Sequence, residues 1–108
     1  MEVSFEEFAR LELKVGAILS AEKVPGADKL YQLTVDTGSE QRTLVAGLAQ
    51  QYAPEQLVGR QVIVAANLAP RTLRGITSQG MLLAAEGEAG GIAIISPDKL
   101  VPNGAKVR

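Results

Sequence analysis

The 108-residue sequence contains neither cysteine nor histidine. The first absence excludes disulfides and thiolate chemistry and fits a reducing compartment. Without histidine, the usual zinc and copper ligands, the commonest general base and every Ser-His or Cys-His triad are missing as well. A carboxylate-only site stays chemically possible, but the acids are scattered: Glu6 and Glu7 adjoin on a short helix, and Asp28, Asp36 and Asp98 stand alone. Carboxylates without a convergent partner are solvated charges rather than a catalytic pair, so no catalytic residue, metal or cofactor is expected. No apolar run approaches the ~20 residues needed to cross a bilayer. The start, MEVSFEEFAR, is acidic and lacks the apolar core of a signal sequence. A cytoplasmic location with no membrane contact is expected.

What is present is an ordinary folded composition, 46% hydrophobic and 21% charged, on a length that suits one domain over residues 1–108. The net charge is −1, yet it is unevenly spread. From Gln56 to Ala85 there is no Asp or Glu, while Arg60, Arg71 and Arg74 give that stretch +3. Within it, two apolar runs, Val62 to Ala66 and Met81 to Ala85, flank a loop with Pro70, Arg71, Arg74, Gly75 and Gly80. A loop held between buried strands is the best candidate for a functional surface.

In chain order, Ser4 and Glu7 form a capping-box pattern ahead of a short helix from Phe5 to about Arg10. Its two phenylalanines, half of the four aromatics in the chain, either lid one end of the core or serve a subunit interface. Alternating apolar residues from Leu11 to Ala21 predict a long strand, with Gly16 as a bulge or bend. Tyr31 to Asp36 and Gln41 to Ala46 follow as strands joined by the DTGSEQ turn. Pro54 opens a helical turn that packs Leu57 and Val58 inward and ends at Gly59. Arg60 to Ala66 and Ser78 to Glu86 are the fourth and fifth strands. GEAGG is a turn, Ile92 to Ile95 a short sixth strand, and the tail with Pro97, Pro102 and Gly104 wraps the edge. This pattern predicts an all-β, five-stranded barrel of the oligonucleotide/oligosaccharide-binding (OB) fold. A short N-terminal helix, a helical turn between strands 3 and 4 and a C-terminal extension complete it. An immunoglobulin-like sandwich is the runner-up, weakened by the helical insert.

Five ordered blocks carry a further resemblance: LELKVGAI, GADKLYQLTVDTG, EQRTLVAGLAQQY, PEQLVGRQVIVAANLAP and RTLRGITSQGMLLAAE. Over nearly the whole chain they resemble the tRNA-binding domain family, found at the C-terminus of many methionyl-tRNA synthetases and in free-standing structure-specific tRNA-binding proteins. The resemblance implies a non-catalytic module that binds tRNA by shape and commonly forms a homodimer. By position it implies tRNA contacts from Asn67, Arg71, Arg74, Ser78, Gln79 and Met81, with Lys29, Lys14 and Arg42 flanking. Arginine forks suit phosphate, Asn67 and Ser78 suit phosphate or 2′-hydroxyl oxygens, and Met81 suits a sugar or base. Bland alternatives exist for several: a solvated loop for the arginines, strand entry for Ser78 and Gly80, core filling for Met81.

Many relatives carry lysine where this chain has Ala17 and Ala69, which implies fewer phosphate contacts and a shallower salt dependence here. Since the same family includes a secretion-associated chaperone, unfolded client proteins are the alternative partner. A dimerisation domain of a synthetase is a further reading. A start at Met1 ahead of a capping box suits an independent protein, and a piece of a longer synthetase would read the same.

Overall fold

The computed structural model describes residues 1–108. Helix α1 (Phe5–Ala9) starts where the capping box predicts: the Ser4 hydroxyl accepts the Glu7 amide at 3.1 Å and the Ser4 amide donates to the Glu7 carboxylate at 3.0 Å. Its phenylalanines do not lid the core. No residue of α1 is buried, and Phe5 is 77% exposed. The residue after its end, Arg10, is tied to Asn67, and both rings remain on the surface.

The organising strand is β1 (Leu13–Val24), antiparallel to β4 (Gln61–Ala65) along its first half and to β2 (Ala27–Asp36) along its second. The expected bulge at Gly16 is not there; the register shifts fall between Ile18 and Ser20 and between Lys23 and Val24. Gly16 is instead a point of close approach, where a Cβ would stand 2.6 Å from Val35 Cγ1. Strand β2 returns through the Pro25–Gly26 turn and pairs with β3 (Gln41–Ala46). The main sheet runs β3-β2-β1-β4-β7, with β7 at Met81–Leu82, and β10 (Lys106–Val107) adds to β1.

The fourth strand is apolar without alternation because both its faces are buried. Val62 and Val64 enter the main core with Ile18, Leu33, Leu44 and Leu57, whereas Ile63 and Ala65 join a second cluster with Leu13 and Val15. The tail covers that second cluster with Val101, Ala105 and Val107. It is fastened by Val15 N–H to Ala105 O at 2.9 Å and by Gln61 Nε2 to Val101 O at 2.6 Å. Between β3 and β4 lies the expected helical turn, α2 (Pro54–Leu57). Leu57 packs inward, but Val58 is half-exposed because it is the extended residue that ends the helix.

The fifth strand is not continuous. It breaks into β6 (Ile76–Ser78), β7 and β8 (Ala84–Glu86), and β8 leaves the main sheet to pair with β9 (Ile92–Ile94). Gly80 makes the first break: its φ of 130° suits glycine, and a Cβ there would meet Ala65 O at 2.8 Å. The arginine loop is also more ordered than the sequence suggests. Its second half is a hairpin, β5 (Arg71–Leu73) against β6, closed by Arg74 and Gly75 at φ 52° and 79°. Two consecutive left-handed residues match the two-residue turn that a right-handed strand twist favours.

A closed barrel would carry a backbone ladder between its first and last strands. Here β3 meets the Ser78–Gly80 segment through one backbone bond, Gln79 N–H to Thr43 O at 2.8 Å, and through two side chains. Gln79 Oε1 accepts the Thr43 amide at 3.0 Å, and Ser78 Oγ accepts the Val45 amide at 3.0 Å.

Candidate nucleic-acid interface

The hairpin β5–β6 lies beside β3, so the acid-free segment and the outer edge of β3 form one surface. Arg71 stands opposite Ser78 in the hairpin and Arg74 at its tip, both exposed and neither in an ion pair. They are separated by roughly 10 Å of strand, at ~3.3 Å per residue. Beyond the tip, Arg74 lines an open hollow of about 410 Å³ together with Gly26, Asp28 and Lys29. The turn between β1 and β2 therefore brings Lys29 to Arg74, two cations that are 45 residues apart in sequence.

Behind these charges, several of the expected contact residues hold the protein itself together. Ser78 is buried, and its hydroxyl both accepts from Val45 and donates to Gly80 O at 2.9 Å. The Gln79 Oε1 accepts the Thr43 amide at 3.0 Å. Arg42 forms the chain's one ion pair, with Glu40 at 2.8 Å, and its Nη1 donates to Ala66 O and Gln79 O at 2.5 and 3.1 Å. Asn67 clamps α1 to the barrel: Oδ1 accepts the Glu12 amide at 2.8 Å and Nδ2 donates to Arg10 O at 2.6 Å. These groups shape the surface, leaving Arg71, Arg74 and Lys29 as its free cations.

Met81 lies at the foot of the hairpin, half-exposed, and with Val45, Leu68, Ala69 and Leu73 it walls a smaller hollow of about 170 Å³ beside Arg71. Met81 is thus a surface residue and not core filling. Lys14 stands apart from this group. It is half-buried on β1, directly opposite Lys106, and lines a different hollow with Leu11 and Glu12.

Sequence reasoning missed Val45, Leu68 and Leu73, which the folded hairpin brings around one hollow with Met81. It missed Arg10 as well, which lines a recess with Glu7 and Asn67. A basic residue just past a helix end is a weak sign in any sequence. The hydrogen bond from the Ser4 amide, then that with the Ser4 hydroxyl, holds the Glu7 carboxyl below the usual carboxylate range. No cluster of three or more acids that could hold a metal exists in the structure.

The fold is shared with solved proteins of two descriptions. A MetRS-related protein from Pyrococcus horikoshii superposes with a TM-score of 0.93 at 43% identity, covering 100% of both chains. The chaperone CsaA from Bacillus anthracis superposes at 0.91 with 29% identity, again over 100% of both. Residues 13–106 match the family described as "Putative tRNA binding domain". The chain belongs to this tRNA-binding domain family. Among its relatives is the methionine–tRNA ligase of Pyrococcus abyssi, 57% identical over 109 residues and 100% of this chain. The chain spans only 15% of that enzyme, and 14–16% of the other ligases it matches. No helix is long and apolar enough to cross a membrane.

Proposed function

We propose that this chain is a non-catalytic module that binds tRNA by shape in the cytoplasm, raising the local tRNA concentration either as a homodimeric free-standing protein or as part of a methionyl-tRNA synthetase. The observation that carries the reading is the face made by β5–β6 and the β1–β2 turn, where Arg71, Arg74 and Lys29 are exposed and free of ion pairs. Cations spaced along a strand edge neutralise phosphates without reading bases, which suits recognition by shape. Family membership and the Pyrococcus ligase identity point the same way. The exposed rings of Phe5 and Phe8 support self-association, because an apolar patch with no cover in one copy is relieved by a second. Filter binding at two salt concentrations tests the main reading: folded tRNA should be preferred over duplex and unstructured RNA at low salt. Equal binding of all three would sink it. Sedimentation at micromolar concentration tests the dimer, and a monomer would exclude it.

The second reading is a protein-binding chaperone. It is favoured by the 29% identity to the CsaA chaperone over the full chain and by the net charge of −1. Suppression of client aggregation that RNA does not compete away would select it.

A further inference from the structure

The chain has two asparagines, and one of them, Asn103, is followed by glycine. Asn-Gly is the pair most prone to spontaneous deamidation, because glycine has no side chain to hinder the approach of its amide nitrogen to the asparagine Cγ. In the folded chain that approach is held off. The Gly104 N–H donates to Val15 O at 2.7 Å, which ties the attacking nitrogen to β1. The Asn103 carboxamide is fixed at both ends: Oδ1 accepts Gln61 Nε2 at 2.9 Å, and Nδ2 donates to Asp36 Oδ2 at 3.4 Å. Asp36 on β2 and Gln61 on β4 are the two register partners of Ala17 on β1, so the carboxamide fastens the tail across three strands. Asp36 has no cationic partner; its other oxygen accepts the Gly38 amide at 2.8 Å. Backbone also packs against backbone here. A Cβ on Gly104 would stand 2.6 Å from Thr37 O, and one on Gly38 would run into Asn103 O.

We propose that Asn103 is a deamidation site which the docked tail keeps closed, and whose product stops the tail from docking again. When the tail lifts from β1, the Gly104 nitrogen and the Asn103 carboxamide lose their partners together. Such local opening needs far less free energy than global unfolding. The Gly104 nitrogen then loses its proton and attacks Asn103 Cγ; the new C–N bond closes a succinimide, and the Cγ–Nδ2 bond breaks to release ammonia. Water opens the ring at Cγ to give aspartate, or at the main-chain carbonyl to give isoaspartate. Aspartate sets a second carboxylate against Asp36 with no cation between them. Isoaspartate adds a carbon to the main chain where Gly38 and Gly104 leave no room for one. Either product holds the tail away from Leu13, Val15, Ile63 and Ala65, the cluster it covers. Molecules whose tail has once opened are thereby marked by a lasting apolar face, whatever ligand the chain binds.

The full chain is incubated at neutral pH and conversion at Asn103 is followed by mass spectrometry, with a free peptide of residues 101–108 as the reference. The folded chain should convert at least roughly tenfold more slowly than the peptide. Gln61→Ala removes three tail hydrogen bonds, to Val101 and Asn103. It should convert roughly tenfold faster than wild type, because the rate follows the open population. Urea below the main unfolding transition should speed wild type in the same direction, which keeps the test open if the variant does not fold. For the product, Asn103→Asp should raise hydrogen exchange at the Gly104 and Val15 amides roughly tenfold. Adding Asp36→Asn should restore protection, since amide and carboxylate have then only changed places. The purified isoaspartyl chain should stay unprotected with either residue at position 36. Conversion as fast in the folded chain as in the peptide, or unmoved by urea or by a folded Gln61→Ala chain, would overturn the gate. Wild-type protection in the aspartyl and isoaspartyl chains would overturn the lock, and failure of Asp36→Asn to rescue the aspartyl chain would overturn its basis in charge.

Discussion

The Ser78 hydroxyl accepts the Val45 amide at 3.0 Å across 33 residues of sequence, standing in for a missing rung between β3 and the hairpin. Ser78→Ala leaves that amide without its partner in a part-buried position. The expected cost is about 1–3 kcal/mol in urea unfolding. Folded Ser78→Ala protein should keep its tRNA affinity. Wild-type stability together with weakened binding would instead make Ser78 a direct contact.

Removing charge from the hairpin should act on binding and not on folding. Arg74 has a left-handed backbone, so Arg74→Asn is a better probe than alanine, because Asn tolerates that region. The double variant Arg71→Ala, Arg74→Asn should reduce the slope of log K against log salt by roughly 1.4–1.8, for two phosphates at ~0.7–0.9 each. Its unfolding free energy should stay within about 0.5 kcal/mol of wild type, as for surface changes generally. An unchanged slope would place the RNA elsewhere on the molecule.

Asn67 binds the end of α1 to the barrel with both ends of its carboxamide, to Glu12 and to Arg10. Asn67→Ala should cost about 1 kcal/mol and speed hydrogen exchange at the Glu12 amide. Weakened tRNA binding with unchanged exchange would indicate that the carboxamide faces the ligand.

The capping box gives α1 a pH dependence with a definite sign. The folded Glu7 carboxyl titrates below its ordinary value because the ionised form accepts the Ser4 amide. Its contribution is therefore present above the unfolded value and is lost as pH falls through the lowered folded one. Protection of the Ser4 amide should fade over that acid window. Glu7→Gln keeps the hydrogen bond without a titratable group, so its protection should be flat across the same range.

Much of this was legible from residues alone. The Ser4–Glu7 pattern, the Gln41–Ala46 strand and Pro54 at the start of α2 are local, and local chemistry decides them. The unalternating Val62–Ala65 run correctly signals burial on both faces, though the tail that covers its second face could not be read from it. The division of labour at the site was less visible. Asn67, Arg42, Gln79 and Ser78 carry the right chemistry for phosphate, and apart from the short links of Arg42 to Glu40 and Ser78 to Gly80 their partners lie 24 to 57 residues away. Only the packed chain reveals those partners. The hairpin was hidden for a similar reason. Arg74 is an unusual residue for a left-handed turn position, so nothing in RTLRGITS announces the two-residue reversal.

The two side chains that join β3 to the hairpin also govern how the protein behaves in company. An uncovered outer strand offers its amides and carbonyls to any passing extended chain, which is how sheets recruit one another into aggregates. On β3 the Thr43 amide and carbonyl and the Val45 amide are already occupied from within the same molecule. Ser78 and Gln79 thus act as stoppers on a recruitable edge, and their loss would tell first on colloidal behaviour at high concentration, before any ligand is added.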